Sequence, residues 1–304
     1  MKCDLCPREA ATLIRYSSAH LCAEHFKSYF EKRAKREIRR QIDVSPGSLV
    51  AVAVSGGKDS MVTLRILHSV FGMRRDVGLC AICIDEGIDG YRPPSLDVAR
   101  GYCEEIGVPM RVRSFSELGV DMDRIAPVSG DSSPCSYCGV LRRRLMNDEA
   151  RRIGASFLAT GHNLDDMAQS ILMNFARGDA ERLARLGPHS RAQPGLVPRF
   201  HPLRMIPEKE SLLYAILSET PFWDGECPYY RDALRNQYRR AVDELEDGSP
   251  GTRFGILSSF DAIRPLLPSG GRELRMCACG EPTLGSRCKS CEMLDSLRER
   301  IRGP

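Results

Sequence analysis

The chain has 304 residues, of which 42% are hydrophobic and 28% charged, with a formal net charge of +4. Such a composition excludes a fibrous or disordered chain and allows one large domain with small appendages, while the mild charge permits an acidic partner without demanding one. No apolar run reaches membrane-span length and no signal peptide opens the chain, so a cytoplasmic protein with no membrane partner is expected. Thirteen cysteines, an odd number, exclude a complete intramolecular disulfide framework, and their C-x-x-C pairs point to metal in a reducing compartment.

The first 25 residues carry Cys3-x-x-Cys6 and, after a gap, Cys22-x-x-His25. Two paired sets of sulfur and nitrogen donors suit tetrahedral Zn²⁺, and a segment too short to bury a core would take folding energy from the metal. Residues 26 to 41 predict a helix with Phe26, Tyr29 and Phe30 on one side and Lys27, Lys32, Arg33, Lys35, Arg36, Arg39 and Arg40 elsewhere. Its charged face could follow a phosphate backbone or simply be solvated. Asp43 to Gly47, with Pro46, is a break.

The apolar run from Leu49 reads as a buried parallel strand feeding Ser55-Gly56-Gly57-Lys58-Asp59-Ser60, after which Met61, Leu64, Leu67 and Val70 have helical spacing. Strand, glycine turn and helix start make an anion-binding device, because backbone N–H groups and the helix dipole point at the turn. It is not a Walker A loop: Val52 stands in the place of the first glycine, and Asp59 follows the lysine. Further strands are predicted at Val77–Ile84, Met110–Ser114 and Ala155–Ala159, with helices at Ser95–Ile106 and Val140–Ile153. This alternation predicts an α/β fold with a doubly wound parallel sheet, whose ligands bind beyond the C-terminal strand ends. The Ser55 loop, Asp85-Glu86-Gly87 and Thr160-Gly161-His162 all fall at such ends.

Cys135-x-x-Cys138 opens the helix that carries Arg142, Arg143 and Arg144, and Cys227 lies far along in Glu226-Cys227-Pro228. A lone C-x-x-C could be a redox pair, half a zinc site or two packing cysteines. With Cys227 there are three thiolates, too few to close a structural zinc site but enough for an iron–sulfur cluster with one iron open. In Asn163-Leu164-Asp165-Asp166, the aspartates could bind Mg²⁺, handle a proton or cap the helix. Residues 178 to 199 form a Gly/Pro/Arg-rich loop, Glu208-Lys209-Glu210 opens another helix, and Arg231, Arg235, Arg239 and Arg240 give a second basic helix. The tail reads as a zinc ribbon from Cys277, Cys279, Cys288 and Cys291, with an unusually tight C-x-C first half. Cys80, Cys83 and Cys103 fall in strand or helix patterns and read as core.

The Ser55–Ser60 stretch resembles the PP-loop of the adenylating N-type ATP pyrophosphatases, of the adenine nucleotide alpha hydrolase-like fold. With both terminal cysteine modules, the three remaining cysteines, Thr160–Asp166, Pro202-Leu203-Arg204 and Glu208-Lys209-Glu210 in order, the chain resembles the PP-loop tRNA 2-thiouridine synthetases, most of all the TtuA-like branch. The resemblance implies an ATP-dependent tRNA uridine 2-sulfurtransferase that adenylates uridine O2 and replaces it with sulfur. It implies ATP contacts at Ala53, Ser55, Gly56, Gly57, Lys58, Asp59, Ser60, Ile84, Arg142, Gly161 and Asp166, with Mg²⁺, and catalytic roles for Lys58, Asp59, Asp166, Cys135, Cys138 and Cys227. It implies a 4Fe-4S cluster on Cys135, Cys138 and Cys227, and one Zn²⁺ in each terminal module. The implied partners are tRNA, a ubiquitin-like sulfur carrier and a second copy in a homodimer. In that branch the C-terminal ribbon starts C-x-x-C; here Met276 stands at the first ligand position and Cys277 one residue later. The expected organisation is a zinc finger and basic helix over 1–44, a catalytic domain over 45–268 and a zinc ribbon over 269–304. The rivals are a tRNA 2-thiocytidine synthetase, against which the flanking zinc modules argue, and a lysidine synthase, against which the three-cysteine set argues. A third rival, a non-catalytic zinc-containing RNA-binding protein, has the intact Ser55–Ser60 motif against it.

Overall fold

A computed structural model describes residues 1–130, 133–189, 193–230, 235–267 and 274–302, so Arg231 of the second basic helix lies outside the described residues. Near the N-terminus β1 (Thr12–Ile14) and β2 (Ala19–Leu21) pair antiparallel, and Cys22 then caps α1 (Ala23–Gln41). Phe26, Phe30, Ala34 and Ile38 recur every fourth residue, so one stripe of α1 is buried while Lys32, Arg36, Arg39 and Arg40 stay exposed. Each of the two fully buried phenylalanines contributes about 1.5–3 kcal/mol from surface removed from water. Arg33 does not join the exposed charges as its sequence position suggests. Its guanidinium is buried against Tyr16, Tyr29 and Phe254 and pairs with Glu210 at 2.6 Å.

The central sheet begins with β3 (Leu49–Ala53), followed by α2 (Lys58–Phe71), β4 (Gly78–Asp85), α3 (Arg92–Glu105) and β5 (Met110–Ser114). After the short α4 (Met122–Ile125) come α5 (Pro134–Arg152), β6 (Phe157–Ala159), α6 (Leu164–Ala176), the short α7 (Ala180–Ala184) and β7 (Arg199–Phe200). The strands are all parallel, in the order β5-β4-β3-β6-β7. The chain therefore winds outward from β3 on one side and restarts at β6 on the other, and the switch point between β3 and β6 leaves a crevice at their C-terminal ends. The two-residue β7 carries too little pattern to be read from sequence. The helix predicted from Val140 starts at Pro134, which puts both cysteines of Cys135-x-x-Cys138 among its first five residues.

Beyond the sheet, α8 (Glu208–Leu217) packs on α1 and α2, and Phe30 stacks on Tyr214 at 4.1 Å. Helices α9 (Arg235–Gly248) and α10 (Thr252–Ile263) cover α6. A second small hairpin, β8 (Arg275–Met276) with β9 (Pro282–Thr283), leads to α11 (Lys289–Arg302), whose Leu294 and Leu297 join the core around α5. Cys80, Cys83 and Cys103 are buried, as their patterns imply.

Candidate active site and metal centres

Gly56 lies at φ +82°, and a Cβ there would sit 2.0 Å from the Ser95 carbonyl oxygen, so only glycine fits the turn after β3. Ser60 ties the loop to the helix: its hydroxyl accepts from the Ser55 N–H at 3.0 Å and donates to the Gly57 carbonyl at 2.8 Å. Gly161 is required for a different reason, because a Cβ would come within 2.9 Å of the Asp59 backbone. This close approach brings the segment after β6 onto the first turn of α2.

Arg92, almost fully buried at the start of α3, was not singled out by the sequence. It donates to the Ser55 carbonyl at 2.9 Å and to the Ile84 carbonyl, and it pairs with buried Glu86 at 2.9 Å. Glu86 also faces Arg142 at 3.5 Å. The side chain of Ile84 is in the core, and Ala53 ends β3. An arginine in a helix N-terminus gives no sequence signal of such a role; it becomes visible only when β4 and the loop lie side by side.

Lys58 donates to Asp59 Oδ2 at 2.8 Å and to Glu208 Oε1 at 2.7 Å. The two aspartates of α6 divide their duties. Asp165 is buried in the frame, accepting from the Glu208 N–H at 2.7 Å and pairing with Arg253 at 2.7 Å. Asp166 caps α6 reciprocally with Asn163 and faces Arg235 at 3.2 Å. The Thr160 hydroxyl lies 2.6 Å from Nδ1 of His162 and 2.7 Å from Nδ1 of His201. With one proton to give, it donates to one ring and accepts from the other, which couples the two tautomers. Burial pushes the pKa of both histidines below the ordinary value and keeps them neutral.

Arg142 and Arg143 project from α5 into this crevice. Desolvation by its surroundings, with Arg199 and Arg142 nearby, pulls Arg143 down to about 10, although the residue as a whole stays exposed. One turn earlier are Cys135 and Cys138. Cys227 reaches the same place from the segment after α8, and Cys138 and Cys227 pack on a hydrophobic cluster with Tyr91 and Tyr229. Cys135 Sγ is 3.4 Å from the Tyr229 carbonyl oxygen. Burial pushes the Cys138 thiol up to about 11, with Glu86, Cys135 and Cys227 adding to it against Arg142.

Among the described residues, two sets place four donors within 4.8 Å of one another: Cys3, Cys6, Cys22 and His25, and Cys277, Cys279, Cys288 and Cys291. A tetrahedron with Zn–S bonds of about 2.3 Å has S–S edges of about 3.8 Å. Cys6 and Cys22 are 3.7 Å apart, Cys279 and Cys288 3.5 Å, and Cys277 and Cys291 3.9 Å. Cys3 and Cys22 are 3.3 and 3.4 Å from His25 Nδ1. Both sets fit one tetrahedral ion. The second one also shows which residue opens the ribbon: Cys277 is a member and buried, whereas Met276 is half exposed. N–H groups of Cys279 and Cys288 lower the Cys277 thiol to about 6 and favour the thiolate that a metal takes. The three cysteines of the crevice do not close to single-ion spacing. Three thiols around a wider gap fit a multi-iron cluster, which stands between its ligands.

The PP-loop domain family matches residues 30–245, and the N-terminal LIM domain of the 2-thiouridine synthetase TtuA matches residues 2–27. The tRNA 2-thiolation protein NcsA of Haloferax volcanii is 37% identical, covering 98% of this chain and 99% of that one. The tRNA-5-methyluridine(54) 2-sulfurtransferase of Thermus thermophilus is 36% identical, covering 99% and 94%. Among solved structures, the U34-tRNA thiolase NcsA from Methanococcus maripaludis with its 4Fe-4S cluster superposes with a TM-score of 0.80 at 34% identity, over 87% of this chain and 88% of that one. With the PP-loop model matching 30–245 and relatives above 30% identical along nearly their full length, the chain belongs to the PP-loop family of tRNA 2-thiolation sulfurtransferases.

Proposed function

We propose that the protein is an ATP-dependent tRNA uridine 2-sulfurtransferase acting in the cytoplasm. One observation carries this: the phosphate-binding loop and the three-thiol set open on the same crevice and are joined by a continuous run of contacts. Ser55 is held by Arg92, Arg92 pairs with Glu86, and Glu86 faces Arg142, one turn from Cys138.

In this reading the N–H groups of the Ser55–Ser60 turn and Lys58 take the phosphates of ATP. Ala53, Ile84 and Gly161 line the nucleotide's place through their backbone, Arg142 adds a cation, and Asp59 and Asp166 offer carboxylates to Mg²⁺. Uridine O2 attacks the α-phosphorus; the O2–P bond forms, the bond to the β-phosphate oxygen breaks, and N3 gives up its proton. Lys58 and the loop stabilise the charge on departing pyrophosphate. Hydrosulfide then adds at C2, the C2–O2 bond breaks so that O2 leaves on AMP, and the hydrosulfide proton goes to N3. Cys135, Cys138 and Cys227 would hold a 4Fe-4S cluster, which when bound supplies an iron free of protein ligands for the incoming sulfur. Each terminal set would hold one Zn²⁺ as a structural ion. The exposed Lys32, Arg36, Arg39 and Arg40 of α1 suit a tRNA backbone, and a ubiquitin-like carrier would deliver the sulfur. The units are residues 1–44, 45–268 and 269–304.

Replacing Lys58 with alanine tests this reading. It should abolish 2-thiouridine formation, measured by mass spectrometry of tRNA nucleosides, while fold and metal content stay intact. Full thiolation by Lys58→Ala would refute the assignment of the loop.

A further inference from the structure

Glu208 opens α8, yet its side chain is not needed to fasten that helix: the helix start is held by the Glu208 N–H on Asp165, and Glu210 is tied to Tyr16 and Arg33. Instead its two carboxylate oxygens take one cation each. Oε1 accepts from Lys58 at 2.7 Å, and Oε2 accepts from Arg239. Arg239 is aimed by a second hydrogen bond, donated to the Tyr230 hydroxyl at 2.9 Å. Arg235, one turn earlier on the same face of α9, reaches Asp166. A carboxylate bridging two cations that come from different elements repeats what a phosphate group offers them. Lys58 also holds Asp59, so two cations and two carboxylates cancel at the place where the proposed function needs net positive charge.

We propose that Glu208 stands in for a nucleotide phosphate, and that Arg239 is a second phosphate-binding cation beside Lys58. When ATP enters, its phosphate chain displaces the Glu208 carboxylate and takes over both cations. The side chains of Lys58, Glu208 and Arg239 are 21%, 26% and 38% exposed, so the exchange needs rotamer changes and no unfolding. The proposal rests on the reading of the loop as an ATP site. It goes beyond it by assigning a binding residue from α9, more than 170 positions along the chain, and an internal competitor from α8.

Calorimetric titration of the full-length, metal-loaded protein with Mg–ATP, without tRNA, tests it. Glu208→Gln keeps the shape and removes the competing charge, so Kd should fall by about threefold or more. Arg239→Met should raise Kd about tenfold, the scale of one lost charge-assisted hydrogen bond, and Arg239→Lys should recover part of it. In Glu208→Gln/Arg239→Met the Arg239 penalty should persist, because the arginine touches phosphate directly. Weaker binding by Glu208→Gln would make Glu208 a positioning arm for Lys58 and overturn the proposal. So would an Arg239→Met variant that binds like wild type, or a penalty that vanishes in the double variant. If Glu208→Gln does not fold, the Arg239→Met and Arg239→Lys pair still decides whether that cation binds phosphate. Absence of Mg–ATP binding to the wild-type protein is a different failure, since it removes the reading of the loop itself.

Discussion

The terminal cysteine modules and the central crevice use the same side chains to opposite ends. At each terminus four donors converge to the corners of one small tetrahedron, a set that one ion would close with protein ligands alone. In the crevice Cys135, Cys138 and Cys227 are three, do not close to single-ion spacing, and sit beside Arg142, which faces Glu86, and Arg143. A closed ligand set supplies folding energy, and an incomplete one leaves a coordination position for a substrate. On the proposed function, ligand count and spacing, more than the presence of C-x-x-C, would separate structural cysteines from reactive ones.

Breaking one ligand of each kind should have the largest and most divergent consequences. Cys227→Ala should bind no iron on anaerobic reconstitution and lose thiolation by at least a hundredfold, yet bind Mg–ATP and unfold within about 0.5 kcal/mol of the iron-free wild type, because a partly exposed side chain is removed. Absorption spectra, nucleoside analysis and denaturant melts report the three quantities. Retained thiolation would end the cluster reading and favour a disulfide or persulfide at Cys135 and Cys227.

The closed sets predict the reverse balance. Cys277→Ser should release one zinc per chain and destabilise the ribbon by about 3 kcal/mol or more, with Mg–ATP affinity unchanged. Met276→Ala should keep its metal. Metal analysis together with chemical unfolding decides it; zinc loss from Met276→Ala would mean that the methionine, and not Cys277, completes the set.

The crevice also has a pH signature of its own. His162 and His201 are held neutral by burial, their folded pKa values lying below the unfolded 6.5. The unfolded chain therefore takes up protons first, so the stability contribution is fully present above pH 6.5 and is lost as pH falls from there toward the folded values. Each histidine contributes a slope of up to about 1.4 kcal/mol per pH unit in that window. Urea unfolding at pH 7.5 and 5.5 should show the loss, and His201→Gln should flatten it. An equal slope in wild type and variant would mean that the acid sensitivity arises elsewhere.

Local sequence alone determined a good part of this protein. Leu49–Ala53 followed by two glycines and a helical apolar repeat can build little other than a strand, a phosphate turn and a helix, and the alternation that follows dictates a parallel sheet. The convergence of Cys3, Cys6, Cys22 and His25 was legible because paired spacing within 25 residues is a local property. The shared place of Cys227 and Cys135 was open to several readings from spacing alone, and the family resemblance had to supply it. Only tertiary structure decided the rest, because it depends on which distant segments touch. Arg33 carries the same local signal as Arg36 and is buried on Glu210, 177 residues away. Asp165 and Asp166 are neighbours in sequence, but one faces the frame and the other the crevice, since successive helical residues point about 100° apart. Arg92 belongs to no motif, and neither the Glu208-Lys209-Glu210 stretch nor the basic helix of Arg239 says what those side chains touch. Their roles arise from charge neutralisation between α2, α3, α8 and α9, and such pairing is a property of proximity in space that no window of sequence contains.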